Sequence, residues 1–296
     1  MPQGKIIKTA STLYTVRPAD GAPDCPCRPR GRFRKTGMAP LAGDEVLFEP
    51  RADGVGVLTE ILPRRNSLVR PPVANVDRLI LVVSEAPPVT SRLMIDSLTA
   101  LAAFKQMEAL ICVNKTDLSD GKALIELYTS LGYRVLPLSA ADGSGFDALR
   151  ECLRGAFCVL TGNSGVGKSS IMNRLYPDFG ARTGDLSERI GRGKQTTRHV
   201  ELVATECGGY LADTPGYSSF DAVEMEMTDA ARLPYCFPEF ADYLGQCRYS
   251  DCSHVRDDGC AIRQAVAEGK IAASRHESFV RLHECVKDLH SWPSRS

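Results

Sequence analysis

The stretch that decides the fold is GNSGVGKS, which occupies residues 162–169. It follows an apolar run at 157–161 that predicts a strand, and it opens a helical pattern at 168–175. This context is the one that the G-x-x-x-x-G-K-[ST] pattern requires, so the stretch predicts a phosphate-binding loop. We expect Lys168 to reach the β and γ phosphates and Ser169 to ligate Mg²⁺. The predicted nucleotide ligands of this loop are Gly162, Asn163, Ser164, Gly165, Val166, Gly167, Lys168, Ser169 and Ser170.

A second motif, NKTD at residues 114–117, follows a strand-like run at 109–113 and indicates which base is bound. A carboxylate at Asp117 can accept from both the ring N–H and the exocyclic amine of guanine, whereas adenine presents no such paired donors. We expect Asn114 to tether the guanine N7 edge and the neighbouring loop, and the stem of Lys115 to lie over the ring. A plain helix N-cap at Asp117 is the alternative. Beside a phosphate loop, the motif favours GTP.

A third loop and the order of the motifs complete the predicted base site. Ser139 and Ala140 follow a strand-like run at 134–138 and fit a loop whose backbone N–H meets guanine O6. In ordinary GTPases the phosphate loop comes first, but here both base-reading loops precede it, which predicts a circularly permuted G domain. A parallel sheet tolerates this order because each loop is positioned by its own strand end.

The γ-phosphate contacts are expected from DTPG at residues 213–216, which follows another strand-like run. The stretch fits a D-x-x-G element in which Asp213 holds Mg²⁺ through water and the Gly216 N–H meets the γ-phosphate. An ordinary Pro-Gly turn is the alternative. Because the chain runs from this element directly into the C-terminal region, we expect the nucleotide state to bias the orientation of that region.

A Gly-rich, basic stretch, GRGKQTTR at 191–198, precedes the D-x-x-G element. A hydroxyl in this stretch would complete the Mg²⁺ shell and sense the γ-phosphate, with Thr197 as the first candidate and Thr196 as the second. Many GTPases orient the attacking water with a Gln directly after the D-x-x-G glycine, but this chain has Tyr217 there. Gln195 is the candidate for that role, and a solvated loop amide is the alternative. The predicted catalytic residues are Gln195, Thr197 and Lys168.

Four potential metal ligands, Cys247, Cys252, His254 and Cys260, fall in the pattern C-x₄-C-x-H-x₅-C. Three thiolates and one imidazole can bind Zn²⁺ tetrahedrally and leave no position open for a substrate, so the predicted site is structural. Buried free thiols beside a surface His are the alternative. The residues that could replace one ligand are Cys236, His283 and Cys285.

Changes in the apolar pattern divide the chain into residues 1–70, 71–220 and 221–296. The first region alternates short β-rich runs with Gly/Pro-rich turns, which predicts a small β-barrel of about five strands. Within it, Cys25-Pro26-Cys27 has no nearby partner and is interpreted as a loop, and Pro71-Pro72 is interpreted as a linker.

The second region alternates apolar strand-like runs with helical patterns, which predicts an α/β domain, a parallel sheet with helices on both faces. The run at 200–205 is expected to form one strand of this sheet. The loops at the C-terminal ends of the strands should form the ligand site. The third region is predicted to be mainly helical, with amphipathic patterns at 221–232, 261–268 and 274–289.

Composition bounds the remaining expectations. The chain has 296 residues, 43% of them hydrophobic, which is enough for a sizeable core. Residues 1–72 hold 12 Lys/Arg against 7 Asp/Glu, a charge of +5, and the whole chain is neutral with 36 of each, so the rest carries −5. The basic region favours a polyanion, with ordinary surface as the alternative. The N-terminus lacks a signal-peptide pattern and the 11 cysteines are an odd number, so we expect a cytoplasmic protein without membrane contact.

The order of these features, from the β-barrel through N-K-T-D, the phosphate loop and D-T-P-G to the Cys/His pattern, resembles the RsgA (YjeQ/YloQ) family of circularly permuted GTPases. The resemblance covers nearly the whole chain. It implies an OB-fold barrel, a permuted P-loop GTPase domain and a zinc-binding C-terminal domain. It also implies GTP hydrolysis stimulated by the small ribosomal subunit, coupling to release, a role in late subunit maturation, and binding to its rRNA. The family usually has His before the two threonines, where this chain has Gln195.

The expected ligands are therefore GTP or GDP with Mg²⁺ and one structural Zn²⁺, and the expected partner of a monomeric chain is the small ribosomal subunit with its rRNA. The alternative function is an RNA-binding scaffold whose guanine-nucleotide site is regulatory and turns over little. A P-loop kinase is disfavoured by the motif at 114–117, and a metabolic zinc enzyme is disfavoured by the closed ligand set.

Overall fold

The computed structural model describes residues 1–31, 33, 38–176, 199–213 and 226–291, with the side chains of 199, 213 and 288–291 outside the description. The chain divides into two compact units. One comprises Met1–Arg78, Asp147–Leu160 and Met172–Pro215, and the other comprises Leu79–Phe146, Thr161–Ile171 and Gly216–Ser296.

The first unit contains a closed barrel. Its strands are β1 (Gln3–Ala10), β2 (Leu13–Pro18), β3 (Cys25–Pro29), β4 (Glu45–Glu49) and β5 (Gly56–Ile61). Their hydrogen-bonded order is β1-β2-β3-β5-β4, and β4 returns to pair with β1. Strand β3 is parallel to β5, and the other pairs are antiparallel. This is the five-stranded Greek-key barrel of an OB fold, so the predicted barrel is confirmed.

The barrel interior is filled by alternate side chains of its strands, as the two-residue period of a strand requires. The buried cluster consists of Ile6, Tyr14, Val16, Cys27, Phe33, Val46, Phe48 and Leu58. The loop predicted at Cys25-Pro26-Cys27 is wrong, because these residues begin β3. Pro26 lacks an N–H, yet β3 keeps partners on both sides through the pairings of Cys27 with Tyr14 and with Gly56.

A short hairpin follows the barrel strands, formed by β6 (Ser67–Leu68) and β7 (Val73–Ala74). Pro71-Pro72 lies in its turn, so the linker predicted there is wrong. The buried amide of Asn66 fixes the base of the hairpin, because its Nδ2 donates to the Val76 carbonyl at 2.8 Å and its Oδ1 accepts from the Val76 N–H at 2.9 Å.

A second sheet has the order β10-β9-β8-β11-β14-β13. Its strands are β8 (Arg78–Val83), β9 (Glu108–Val113), β10 (Arg134–Pro137), β11 (Phe157–Thr161), β13 (Val203–Ala204) and β14 (Tyr210–Asp213). The pairs β9/β10 and β11/β14 are parallel, but β13 is antiparallel to β14. The sheet is therefore mixed, and the prediction of a wholly parallel sheet is wrong at this edge.

The run at 200–205 forms two strands, not the single one predicted. Its first part, β12 (His199–Glu201), pairs antiparallel with β1 and so extends the barrel sheet, whereas β13 joins the second sheet. Between them the Leu202 N–H donates to the Ile7 carbonyl at 2.8 Å. The register places Val200 opposite Thr9, so the first half of the run pairs with β1. The sequence pattern of 200–205 gives no sign of this division.

Helices alternate with the strands that carry the loops of interest. They are α1 (Arg92–Phe104), α2 (Lys122–Ser130), α3 (Phe146–Leu153) and α4 (Lys168–Leu175). Ser91 caps α1 by accepting from the Met94 N–H at 3.3 Å. Strand β11 is buried throughout and leads through the predicted phosphate loop into α4, as the sequence predicts.

The C-terminal region contains two 3₁₀ helices, Ala230–Cys236 and Pro238–Tyr243, followed by α5 (Ala261–Ala267) and α6 (Ala273–Ser291). The helix predicted over 221–232 is wrong in its described part, because 226–229 are irregular. The residues that follow form a 3₁₀ helix, which contains Pro234, and not an α-helix. Three rings, Phe237, Phe240 and Phe279, pack together with centroids 5.1–5.5 Å apart. Among the described residues, no helix is long and apolar enough to cross a bilayer.

Candidate functional site

The phosphate loop lies between β11 and α4 in the second unit. The ammonium group of Lys168 donates to the carbonyls of Gly162 and Asn163, at 2.6 Å each. Gly167 has φ +102°, and a Cβ there would lie 2.2 Å from Nδ2 of Asn114. Only glycine therefore lets the loop approach the base-reading segment this closely.

Asn114, whose side chain is 2% exposed, joins four loops through its side chain and its backbone. Its Nδ2 donates to the Val166 carbonyl in the phosphate loop at 2.8 Å, and its Oδ1 accepts from the Ala140 N–H at 3.0 Å. Its backbone N–H also donates to Val83 at the end of β8, at 2.8 Å. The loops after β8, β9 and β10 and the phosphate loop are thus assembled around a single residue.

The carboxylate predicted to read the base is oriented by a neighbouring hydroxyl. Ser139, which is fully buried, donates from Oγ to Oδ1 of Asp117 at 2.7 Å. The same hydroxyl accepts from the Asp142 N–H at 3.3 Å, which closes the turn after β10. Thr116 ties the two loops together again, because its N–H and Oγ1 both donate to the Leu138 carbonyl, at 3.1 and 2.9 Å.

These loops enclose a cavity of about 270 Å³. Its lining residues are Asn114, Lys115, Asp117, Leu118, Ala140, Ala141, Gly167 and Ser170. The structure thus brings both base-reading loops and the phosphate loop to one cavity. A larger cavity of about 740 Å³ adjoins the Cys/His cluster, but its lining carries no phosphate loop. The smaller cavity is the candidate nucleotide site because its lining carries the predicted base-reading and phosphate-loop residues.

One predicted contact is arranged differently from the sequence expectation. The Ala140 N–H, expected at guanine O6, donates to the side chain of Asn114. The next residue, Ala141, also lines the cavity.

The four predicted metal ligands converge in the C-terminal region. The ligand atoms of Cys247, Cys252, His254 and Cys260 all lie within 4.8 Å of one another. Nδ1 of His254 is 3.4 Å from the Cys247 sulfur and 3.6 Å from the Cys260 sulfur, and these sulfurs are 4.0 Å apart. A zinc tetrahedron with bonds of about 2.3 Å to sulfur has edges of about 3.8 Å, so the donor set fits zinc.

Protonation of the cluster without a metal follows from its burial. Burial raises the pKa of Cys252 to about 12, raises that of Cys260 and lowers the pKa of His254. A neutral imidazole offers a lone pair, and a bound divalent cation would stabilise the thiolates that burial disfavours. The carboxylate of Asp257 supports the turn by accepting from the Ser253 N–H at 3.0 Å.

Comparison with known proteins indicates the family. The sequence profile described as RsgA GTPase matches residues 61–223, and that described as RsgA N-terminal domain matches residues 3–58. A protein of Bacillus anthracis named small ribosomal subunit biogenesis GTPase RsgA is 40% identical over 294 residues, which is 97% of this chain and 98% of that protein. A relative of the same name from Geobacillus kaustophilus is 42% identical over 95% of this chain and 96% of its own length.

The chain belongs to the RsgA GTPase family. Two solved structures are also similar: YjeQ from Thermotoga maritima superposes with a TM-score of 0.82 at 34% identity, covering 97% of this chain and 98% of that one. YloQ, described as a circularly permuted GTPase, gives a TM-score of 0.80 at 34% identity, covering 98% and 96%. As an RsgA GTPase, the chain is a GTP hydrolase, and its motif order accords with that description.

Several residues expected to act in this RsgA GTPase fall where the structure gives no side chain. Gln195, Thr196, Thr197 and Gly216 lie outside the described residues. Asp213 ends β14, paired with Leu160, but its side chain is also outside the description. Ser169 and Ser170 are exposed at the start of α4.

The structure also places at the site residues that sequence reasoning missed. Leu118, 70% exposed, lines the cavity directly after Asp117, a position that the N-K-x-D pattern leaves unspecified. The ammonium group of Lys115 donates to the Pro87 carbonyl at 2.7 Å, a contact across 28 residues of chain. The Pro87-Pro88 dipeptide is a turn signal in the sequence, but nothing local indicates which loop it meets.

Proposed function

We propose that this chain is a GTP-hydrolysing factor that binds the small ribosomal subunit and assists its late maturation, with hydrolysis stimulated by the subunit and coupled to release. The observation that carries the nucleotide part is the double hydrogen bond of Asn114, which holds a base-reading loop against the phosphate loop. The subunit part is supported by the names of relatives 40–42% identical over nearly their full length.

Base recognition rests on Asp117. Its carboxylate accepts from guanine N1–H and the exocyclic amine, while Ser139 keeps it oriented. Asn114 faces the N7 edge, and the stem of Lys115 covers the ring. With the Ala140 N–H directed to Asn114, the neighbouring Ala141 N–H is a second candidate for guanine O6.

Phosphate binding requires Lys168 to exchange partners. Its ammonium group, bonded to two loop carbonyls, would turn to the β and γ phosphates, which are stronger acceptors because they are charged. The residues that would hold Mg²⁺ are Ser169, Thr197 or Thr196, and Asp213 through water. When bound, Mg²⁺ neutralises charge on the phosphate oxygens. The N–H of Gly216 would meet the γ-phosphate.

Water activation is assigned to Gln195, because the position after the D-x-x-G glycine is Tyr217. An amide can accept from water and orient it without carrying charge. Loss of subunit-stimulated turnover in Gln195→Ala supports this role, and unchanged turnover contradicts it.

The proposed organisation has three regions, residues 1–70, 71–220 and 221–296, in a monomeric cytoplasmic chain. The OB-fold barrel, whose region carries the +5 charge, would contact rRNA, since such barrels commonly bind nucleic acid. Zn²⁺ in the Cys/His cluster would act structurally, because four protein ligands leave no open position.

The test measures GTP hydrolysis with and without purified small subunits, and cosedimentation in GDP and in a non-hydrolysable GTP analogue. The proposal expects stimulation and unequal binding in the two nucleotide states. A scaffold with a regulatory nucleotide site would instead bind the subunit and show no stimulation.

Asp117→Asn is a matched control for the base site. An amide there loses the acceptor for the guanine amine but can donate to the C2 carbonyl of xanthine. We expect GTP turnover to fall at least about 10²-fold and xanthosine triphosphate to restore it. Failure of both nucleotides would instead indicate a folding defect.

A further inference from the structure

Three consecutive apolar residues, Pro87, Pro88 and Val89, are exposed on the loop between β8 and α1. Val89 alone is 61% exposed. This loop belongs to none of the guanine-nucleotide motifs, and these three side chains contribute little to the core. Exposed apolar groups in a short loop raise the question of what they support.

The loop is held by its own hydrogen bonds. At its ends, the Thr90 N–H donates to the Ser84 carbonyl at 2.8 Å and the Ser84 N–H donates to Thr90 Oγ1 at 3.1 Å. Ser84 Oγ accepts from the Ala86 N–H at 3.1 Å and donates to the Ala86 carbonyl at 2.8 Å. Both Ser84 and Thr90 are buried, so the two prolines project from a fixed base.

From this base the two prolines contact both halves of the nucleotide site. The Pro87 carbonyl accepts from the Lys115 ammonium at 2.7 Å. The Pro88 ring lies against the phosphate loop, since a Cβ on Gly165 would come 3.1 Å from Pro88 Cγ. Lys115 itself has φ +66°, a left-handed backbone conformation that is uncommon for a residue other than glycine, and it lines the cavity.

A free lysine side chain has considerable rotamer entropy, which is lost when a ligand orders its stem. The bond to Pro87 restricts that freedom before the nucleotide arrives. Because Pro88 lies beside Gly165, the turn that anchors Lys115 also adjoins the phosphate loop.

We propose that the Pro87-Pro88 turn is a positioning element for guanine-nucleotide binding, which holds Lys115 in place through its ammonium group. The turn touches no reacting atom and acts only through Lys115. The inference rests on the proposed nucleotide site and gives the loop after β8 a role in it.

The test is a double-mutant cycle with the full chain. We expect Pro87→Gly/Pro88→Gly, which makes the turn flexible, to weaken GDP binding about tenfold by calorimetry, because preorganisation is lost. The KM for GTP should rise more than kcat falls, since uniform binding is what the turn supplies. In a Lys115→Met background, which keeps the apolar stem and removes the ammonium group, the same change should cost less than about twofold.

Pro71→Gly/Pro72→Gly is the matched control, because it makes the same change in the hairpin turn between β6 and β7. It should lower the melting temperature without changing GDP affinity. Equal losses in the two Lys115 backgrounds, or full GDP affinity in the turn variant, would overturn the proposal. A wild-type chain that binds no GDP at all would instead contradict the proposed function.

Discussion

The nucleotide loops and the Cys/His cluster are built in opposite ways. The nucleotide loops come from segments near residues 87, 115, 140 and 165, and each is held by hydrogen bonds to another loop. The Cys/His cluster comes from 14 consecutive residues, 247–260, which form turns and bends without helix or strand. A site assembled by a sheet is largely preformed, whereas a cluster of thiols in irregular chain depends on its ligand for stability.

Metal removal is the largest test of this contrast. We expect a strong chelator to melt residues 244–260 and loosen the flanking 3₁₀ helices, because a structural zinc contributes about 10 kcal/mol or more to folding. GDP affinity should survive, since the nucleotide loops hold one another. Hydrogen exchange resolved by peptide, with calorimetry for GDP, measures both effects.

Cys252→Ser should reproduce the chelator effect, and Cys207→Ser is its control, because Cys207 is a partly buried thiol outside the cluster. If residues 244–260 show the same hydrogen exchange in the two variants, the cluster holds no structural metal. If GDP binding disappears together with the metal, the nucleotide loops depend on the Cys/His cluster, and their hydrogen bonds to one another do not suffice to hold them.

A buried arginine joins α1 to the C-terminal helices, and its loss is the next largest effect. Arg275 on α6 is fully buried and donates to Asp96 on α1 at 2.6 Å and to Glu239 at 2.6 and 3.1 Å. Burial works against its charge, but the hydrogen bond to Glu239 and the charge of Asp96 leave the pKa of Arg275 raised. Arg275→Met should cost about 3–5 kcal/mol in urea unfolding, because it removes the cation that compensates two carboxylates inside the protein, although Asp96 keeps the hydrogen bond from the Tyr128 hydroxyl.

Asp96→Asn in the same chain should recover part of that loss, since it removes one uncompensated charge. If Asp96→Asn recovers none of the lost stability, the cost of Arg275→Met comes from lost packing against Tyr128 and Phe237. The rings of these residues lie 5.8 and 4.7 Å from the guanidinium. In chelated protein the Arg275→Met cost should shrink, because α6 would already be loosened.

The same contrast explains what could be predicted from the sequence. Strand β11, the phosphate loop and α4 were predictable because strand, turn and helix signals agree within one short stretch. The metal cluster was predictable because its ligands are close in sequence. Both features depend on local order.

The failures are long-range. Whether 200–205 pairs with β1 or β14 depends on strands that are distant in sequence, and the run divides between them. Pro26 weakens the strand signal of β3, yet neighbours on both sides supply the ladder. Likewise, no pattern around Arg275 or Pro87 names its partner, because burial and tertiary contact are set by the assembled fold.

The smallest effects distinguish two residues of the nucleotide site: Asn114, which joins the loops, and Ser139, which orients Asp117. Asn114→Ala removes the hydrogen bonds to the Val166 carbonyl and from the Ala140 N–H, so it should cost about 1–3 kcal/mol and weaken GDP binding roughly 10- to 100-fold. Ser139→Ala removes the hydroxyl that orients Asp117 and its longer, 3.3 Å bond from the Asp142 N–H, but it leaves the contacts between the loops in place, so it should weaken GDP binding about fivefold, near 1 kcal/mol. Calorimetry with GDP ranks the two variants directly. Equal losses would mean that Asn114 contributes no more than one orienting bond, and the preformed character assigned to the nucleotide loops would then have to come from the sheet alone.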